Sequence, residues 1–227
     1  MRSSKRELVF GMSGIVFVIA LFAAFSVAGP RLTTTASAQA VAAYYIQNQR
    51  PLQLAQSLRV LASLVFFVFL AGLWALVKQT DAGSGERAAG VLAAGVATPI
   101  LTLVVIAARL TLTMHAGQIQ DAAVVRLVRD FAQVLEMASF YPFAVVVGLG
   151  SWTLWGTRGA TRWIGLAGVA LALLVLVGVV GSLVGIALTG LAMIGLLGCL
   201  AWVLAISIVM TLRGAQLLPT NAKEHAI

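Results

Sequence analysis

The sequence predicts an all-α, polytopic membrane protein with six transmembrane helices, and three observations predict it. Of 227 residues, 61% are hydrophobic and only 10% charged, with a mean hydropathy of +1.02. A soluble domain carries about 45–50% apolar and about a quarter charged residues, and a globule of this size has too little interior to hide the excess from water. Second, the residues other than Asp, Glu, Lys and Arg form long unbroken runs. Third, the basic residues gather in short segments that alternate with those runs, as they do on the cytoplasmic side of membrane proteins. The composition excludes a disordered chain, a collagen-like repeat and a disulfide-stapled domain, since apolar content is high and Cys199 is the single cysteine.

A transmembrane helix needs about 20 apolar residues to cross a hydrocarbon layer about 30 Å thick. The charge-free runs 8–30, 60–77, 88–108 and 137–157 supply one span each. The run 163–212 has 50 residues, enough for two crossings, with the turn expected at Gly181, Ser182, Gly185, Thr189 and Gly190. Spans are therefore expected at 8–30, 58–78, 88–110, 136–157, 163–183 and 190–212, in one domain over 1–227. Barrel strands would be about ten residues of alternating polarity, a pattern the chain lacks.

The first run also imitates a secretory signal, with Arg2, Lys5 and Arg6 before it and Ala36-Ser37-Ala38 after it. It exceeds the usual core of about 7–15 residues, so it is expected to remain as span one. Orientation follows from Arg2, Lys5, Arg6, Lys78, Arg87, Arg158, Arg162, Arg213 and Lys223, nine of the fifteen basic residues, which fall on one side in short segments. Both termini are expected in the cytoplasm. Trp74, Trp152, Trp155 and Trp163 stand near the cytoplasmic span ends, where amphipathic rings favour the headgroup level. The net charge of +8 is dispersed over both faces. It points to anionic lipid headgroups as partners and away from nucleic acid.

Two longer outer loops interrupt this regularity. In 33–58, Val41, Tyr44, Tyr45, Leu52 and Leu54 have a spacing that suits a short helix before and after Pro51, lying on the outer membrane surface. In 121–134, Val124, Val125, Leu127, Val128, Phe131 and Val134 alternate with Arg126, Arg129 and Asp130, an amphipathic stretch running into span four. Ala55-Gln56-Ser57-Leu58 is echoed by Ala132-Gln133-Val134-Leu135, and Gly72, Trp74 and Leu76 by Gly150, Trp152 and Leu154, which leaves an internal duplication open.

The Val41-Ala42-Ala43-Tyr44-Tyr45 run before Asn48 and Arg50, and the Thr161-Arg162-Trp163-Ile164-Gly165 start of span five, resemble the six-span actinobacterial integral membrane proteins grouped under a domain of unknown function. The likeness covers most of the chain as a topology and departs at Thr161, where that family has proline. It implies a six-span fold in a bacterial cell membrane, and no chemistry or functional residues.

Charges at the bilayer centre cost about 2.5–3.5 kcal/mol each, so depth decides which polar residues are informative. Counting about 20 residues outward from the cytoplasmic ends brings Arg59, Arg109 and Glu136 to one level, the outer boundary. Snorkelling there accounts for them as ordinary interfacial residues. The sharper reading pairs Glu136 with Arg109 or Arg59 across helices, closing a small outer vestibule to which Tyr44, Tyr45, His115 and Tyr141 also belong. Pro99, flanked by Thr98 and Thr102, and Pro142 interrupt the hydrogen bonding of spans three and four and are candidate kinks. Tightly packed bent helices are expected there rather than a midplane cavity, because no ionisable group shares that depth.

A metal or porphyrin site is not expected, since His115 has only His225, in the opposite tail, as a second histidine. No cofactor is expected either. Nucleophile-elbow, Walker, His-Glu-x-x-His and Cys-x-x-Cys motifs are absent, and Gly83-Ser84-Gly85 reads as a linker, so a non-enzymatic role is expected. The leading expectation is an accessory or assembly component acting through lateral helix contacts with a membrane-protein partner or a second copy. The alternative is a binder or carrier of a small neutral or lipid-like molecule entering by the vestibule. A continuous cavity reaching Pro99 and Pro142 would favour the second; a filled bundle would favour the first.

Overall fold

The computed structural model describes residues 2–29, 32, 35–80, 85–155, 160–184 and 188–216. Arg31, Asp81, Gly83, Ser84, Arg158, Gly185, Lys223, Glu224 and His225 lie outside the described residues. Among the described residues there are seven helices: α1 (Arg2–Val27), α2 (Ala38–Gln47), α3 (Gln49–Thr80), α4 (Glu86–His115), α5 (Ala122–Trp155), α6 (Ala160–Leu183) and α7 (Thr189–Gln216). Six of them, all but α2, are long and apolar enough to cross a membrane. The chain is a multi-pass helical membrane protein.

The six long helices stand side by side in chain order, each against the next, and α7 closes on α1 to complete a ring. Consecutive helices run antiparallel. A Cβ on Gly11 would meet Thr211, one on Gly72 would meet Phe10, and Arg59 near the start of α3 lies over Phe25 near the end of α1. The end of the ring opposite the start of α1 and the finish of α7 is called distal below. Side chains facing outward are large and apolar, such as Ile19, Leu64, Ile100, Leu173 and Ile194, the reverse of a soluble surface. Toward the proximal end the ring is filled by Phe69, Leu70, Leu73, Val147, Val203 and Ile206.

At 1.5 Å per residue the 34 residues of α5 and the 32 of α3 are about 51 and 48 Å long, well beyond the hydrocarbon thickness. Their distal ends rise past the end of α1 and, with α2, form a small cap. Val41, Tyr45, Leu52, Leu112, Ala116 and Val125 make its separate apolar core. Ser37 starts α2 by accepting a hydrogen bond from the Ala40 amide at 3.2 Å, and α2 ends at Asn48, whose side-chain amide donates to the Tyr44 carbonyl at 2.9 Å. Tyr44 ties the cap to the bundle by donating its hydroxyl to the Ala28 carbonyl at 3.2 Å.

One expectation is corrected. The helix expected after Pro51 is not a separate surface segment, because α3 starts at Gln49 and runs unbroken to Thr80. Pro51 falls in its first turn, where the missing N–H had no intrahelical partner to lose. The amphipathic stretch before span four is likewise the first part of α5. Both α4 and α5 continue through Pro99 and Pro142. Before α4, Gly85 takes φ +67°, a left-handed turn that favours glycine.

Candidate functional site

The site lies where the bundle meets the cap. Arg59 of α3 donates to one oxygen of Glu136 on α5, and Arg109 of α4 donates to the other. Glu136 thus bridges two guanidinium groups from two neighbouring helices. All three are withdrawn from solvent, with side-chain exposures of 8% for Arg59, 20% for Arg109 and 10% for Glu136. Measured along the helices, Glu136 is about 28 Å from Trp155, Arg59 about 28 Å from Lys78 and Arg109 about 31 Å from Ala88. The sharper pairing is present in the structure, with two arginines engaged instead of one.

The backbone beneath is held by the same residues' neighbours. Ser63 donates to the Arg59 carbonyl at 2.9 Å and Ser139 to the Glu136 carbonyl at 2.6 Å. The Phe25 ring lies 5.3 Å from the Arg59 guanidinium carbon, a cation–π contact that covers the charge from the α1 side. Burying such a cluster is expensive unless every charge is satisfied, and removing one partner leaves the others stranded.

Two cavities meet at this cluster and share Phe25, Arg59 and Glu136 as a common wall. The inner one has a volume of about 80 Å³ and runs down the middle of the ring past Ser63, Thr98, Pro99, Thr102 and Ser139 to Phe66, Phe143 and Leu200. Most of that surface is aliphatic or aromatic. The outer one has a volume of about 110 Å³ beneath the cap, bounded by Tyr44, Tyr45, Gln56, Arg109, Arg129 and Gln133. Arg129 is anchored there by donating to the Leu32 carbonyl at 3.2 Å and to Asp130 at 3.0 Å. Burial raises the Tyr45 phenol above its ordinary value of 10.0, against the lowering influence of Arg109 and Arg129, so this wall presents a neutral phenol near neutral pH.

Of the residues expected at the vestibule, Tyr44, Tyr45, Arg59, Arg109 and Glu136 are brought together. His115 and Tyr141 are not. His115 is exposed at the end of α4, its Nδ1 3.1 Å from Gln118 Oε1, and Tyr141 packs against the bundle core on another face of α5. The reason is helical geometry: six residues from Arg109 and five from Glu136, at about 100° per residue, carry these side chains well off the site's face. Pro99 lines the inner cavity, so the filled packing expected beside it is not found there. Sequence reasoning missed Gln56, Arg129 and Gln133. A signal was present: Gln56, Arg59 and Ser63, and Arg129, Gln133 and Glu136, recur at spacings of three and four, each set forming one polar stripe on an otherwise apolar helix.

Among the described residues, His, Cys, Asp and Glu do not gather into a group that could hold a metal ion. Compared with protein-family models, curated proteins and solved structures, the chain matches none.

Proposed function

We propose that this protein is a non-enzymatic binder of a small lipid-like molecule, held between the outer vestibule and the cavity inside the ring. The observation that carries this reading is the inner cavity itself: an apolar space in the membrane half of the bundle, reaching Pro99 from a charged wall. A purely structural helix bundle has no need of such a space, since unfilled volume forfeits packing. Apolar cavities with a few convergent polar groups are the usual form of small-molecule sites. Below Phe66 and Phe143 the ring is filled, which favours a binder over a conduit. The likeness to six-span actinobacterial proteins and the distribution of basic residues support a bacterial cell membrane, with the cap on the outer side.

The test is to isolate the protein gently in lipid nanodiscs, extract what it retains and identify it by mass spectrometry. The expected result is one lipid-like species held in near-stoichiometric amount and lost in Ala62→Trp, which fills the inner cavity from α3. A cavity that retains nothing, together with a membrane protein that copurifies, would replace this reading with an accessory role exercised through lateral contacts.

A further inference from the structure

We infer that the outer vestibule is an anion site for the headgroup of that molecule, and that the ligand is a single-chain amphiphile with a phosphate-type head; this rests on the preceding reading. The wall of the outer cavity contains three guanidinium groups, Arg59, Arg109 and Arg129, and one carboxylate, Glu136. Asp130 does not redress the balance inside. It is about half exposed, lies outside the wall, and is shared by Arg129 at 3.0 Å and the surface Arg126 at 3.6 Å. Water screens its charge, whereas the enclosed arginines are screened far less.

Surplus positive charge on side chains so largely withdrawn from solvent is costly without a counter-anion. Guanidinium groups match the planar edges of carboxylates and phosphates with paired hydrogen bonds, so an anion of that shape is the complement. A second observation narrows the choice. Gln56 lines the chamber, is 3% exposed, and its Oε1 has no hydrogen-bond partner among the described residues. A headgroup that carries a hydroxyl beside its phosphate supplies that donor while the phosphate keeps its negative charge for the arginines.

Volume sets the rest. About 110 Å³ beneath the cap holds a phosphate group and its linker, and about 80 Å³ inside the ring holds roughly five to eight water-sized groups, a short stretch of one chain. Two acyl chains do not fit side by side. The chain passes the Arg59–Glu136 wall, and the head competes with Glu136 for the arginines on the outer side.

The experiment titrates the protein, in nanodiscs of zwitterionic lipid, with octyl phosphate, octyl glucoside and inorganic phosphate, read by calorimetry and native mass spectrometry. Octyl phosphate is expected to bind at least about tenfold tighter than octyl glucoside, since a hydrogen bond to a charged group is worth about that factor. Arg129→Gln should weaken octyl phosphate about tenfold and leave octyl glucoside unchanged, with Arg129→Lys between them. The wild-type comparison needs no variant and stands if either fails to fold. Equal binding of the two amphiphiles overturns the anionic headgroup and leaves the lipid-like reading intact. Inorganic phosphate binding as tightly as octyl phosphate, with octyl glucoside not bound, overturns the amphiphile and makes the vestibule a site for the free anion. Binding of none of the three overturns both inferences.

Discussion

Glu136 is the residue on which the distal end depends, because its two oxygens answer two arginines from different helices. Removing the charge while keeping the shape, Glu136→Gln, leaves two enclosed guanidinium groups facing a neutral amide, and the expected cost is about 3 kcal/mol or more. Arg109→Gln should cost less, since Arg59 still holds the carboxylate and Arg109 is the more exposed of the two arginines. The triple change Arg59→Leu, Arg109→Leu and Glu136→Leu should recover much of the stability lost in Glu136→Leu alone, because a buried ion cluster is worth little against apolar packing of similar volume. Thermal unfolding of the four variants in one detergent checks the ordering; a Glu136→Gln midpoint equal to wild type would contradict it. This cluster was legible in the sequence because position along a span is a matter of counting: about 20 residues from each end expected in the cytoplasm landed on all three charges. Arg129 and Gln56 were not reached by the same count, which stops at the membrane boundary, whereas α3 and α5 carry their polar stripes beyond it into the cap. Composition gives a residue's depth far more readily than its azimuth, and the azimuth of His115 and Tyr141 is what removed them.

At the scale of helices, the spans themselves were readable because each charge-free run is long enough to cross once and the long final run divides about its small residues. How tightly neighbours approach is set by small residues within the runs, and the glycines of the last run point to a close approach of α6 and α7. A Cβ placed on Gly178 would fall 2.5 Å from the Ala192 backbone nitrogen and 2.7 Å from its Cα, so α6 and α7 touch backbone to backbone at this point. Small residues permit that approach where lipid offers no hydrophobic drive between helices. Gly90 is different: its added Cβ would meet only the Leu149 Cδ1 atom, at 2.7 Å, the far end of a flexible side chain. Gly178→Ala is therefore expected to destabilise by about 1–3 kcal/mol through overpacking. Gly90→Ala should be neutral or stabilising, since Leu149 can turn aside and alanine is favoured over glycine in a helix by about 0.8–1.0 kcal/mol. Unfolding of the two variants side by side, with opposite signs, separates backbone contact from mere glycine content.

For the molecule as a whole, the ring of six helices divides into a filled proximal part and a distal part with two chambers separated by Phe25, Arg59 and Glu136. That division makes a definite statement about access. Cys199, the single cysteine, is fully buried on α7. The wild-type protein should therefore resist a polar, membrane-impermeant thiol reagent while folded and react with it once unfolded. This silence makes single introduced cysteines readable. Gln133→Cys faces the outer chamber, on the polar side of the wall, and should be modified by the reagent from the cap side of intact membranes. Thr98→Cys lines the inner cavity beneath the wall and should stay unmodified by the same reagent, because the ion cluster and the Phe25 ring stand between it and the outer chamber. Adding Glu136→Gln to Thr98→Cys breaks two of the contacts that close the wall and should raise the modification rate. Applied from the opposite face, the reagent should leave both positions untouched, since the proximal core offers no path. Rapid modification of Thr98→Cys from both faces would mean a through passage, and the blind pocket on which the binding reading rests would give way to a conduit.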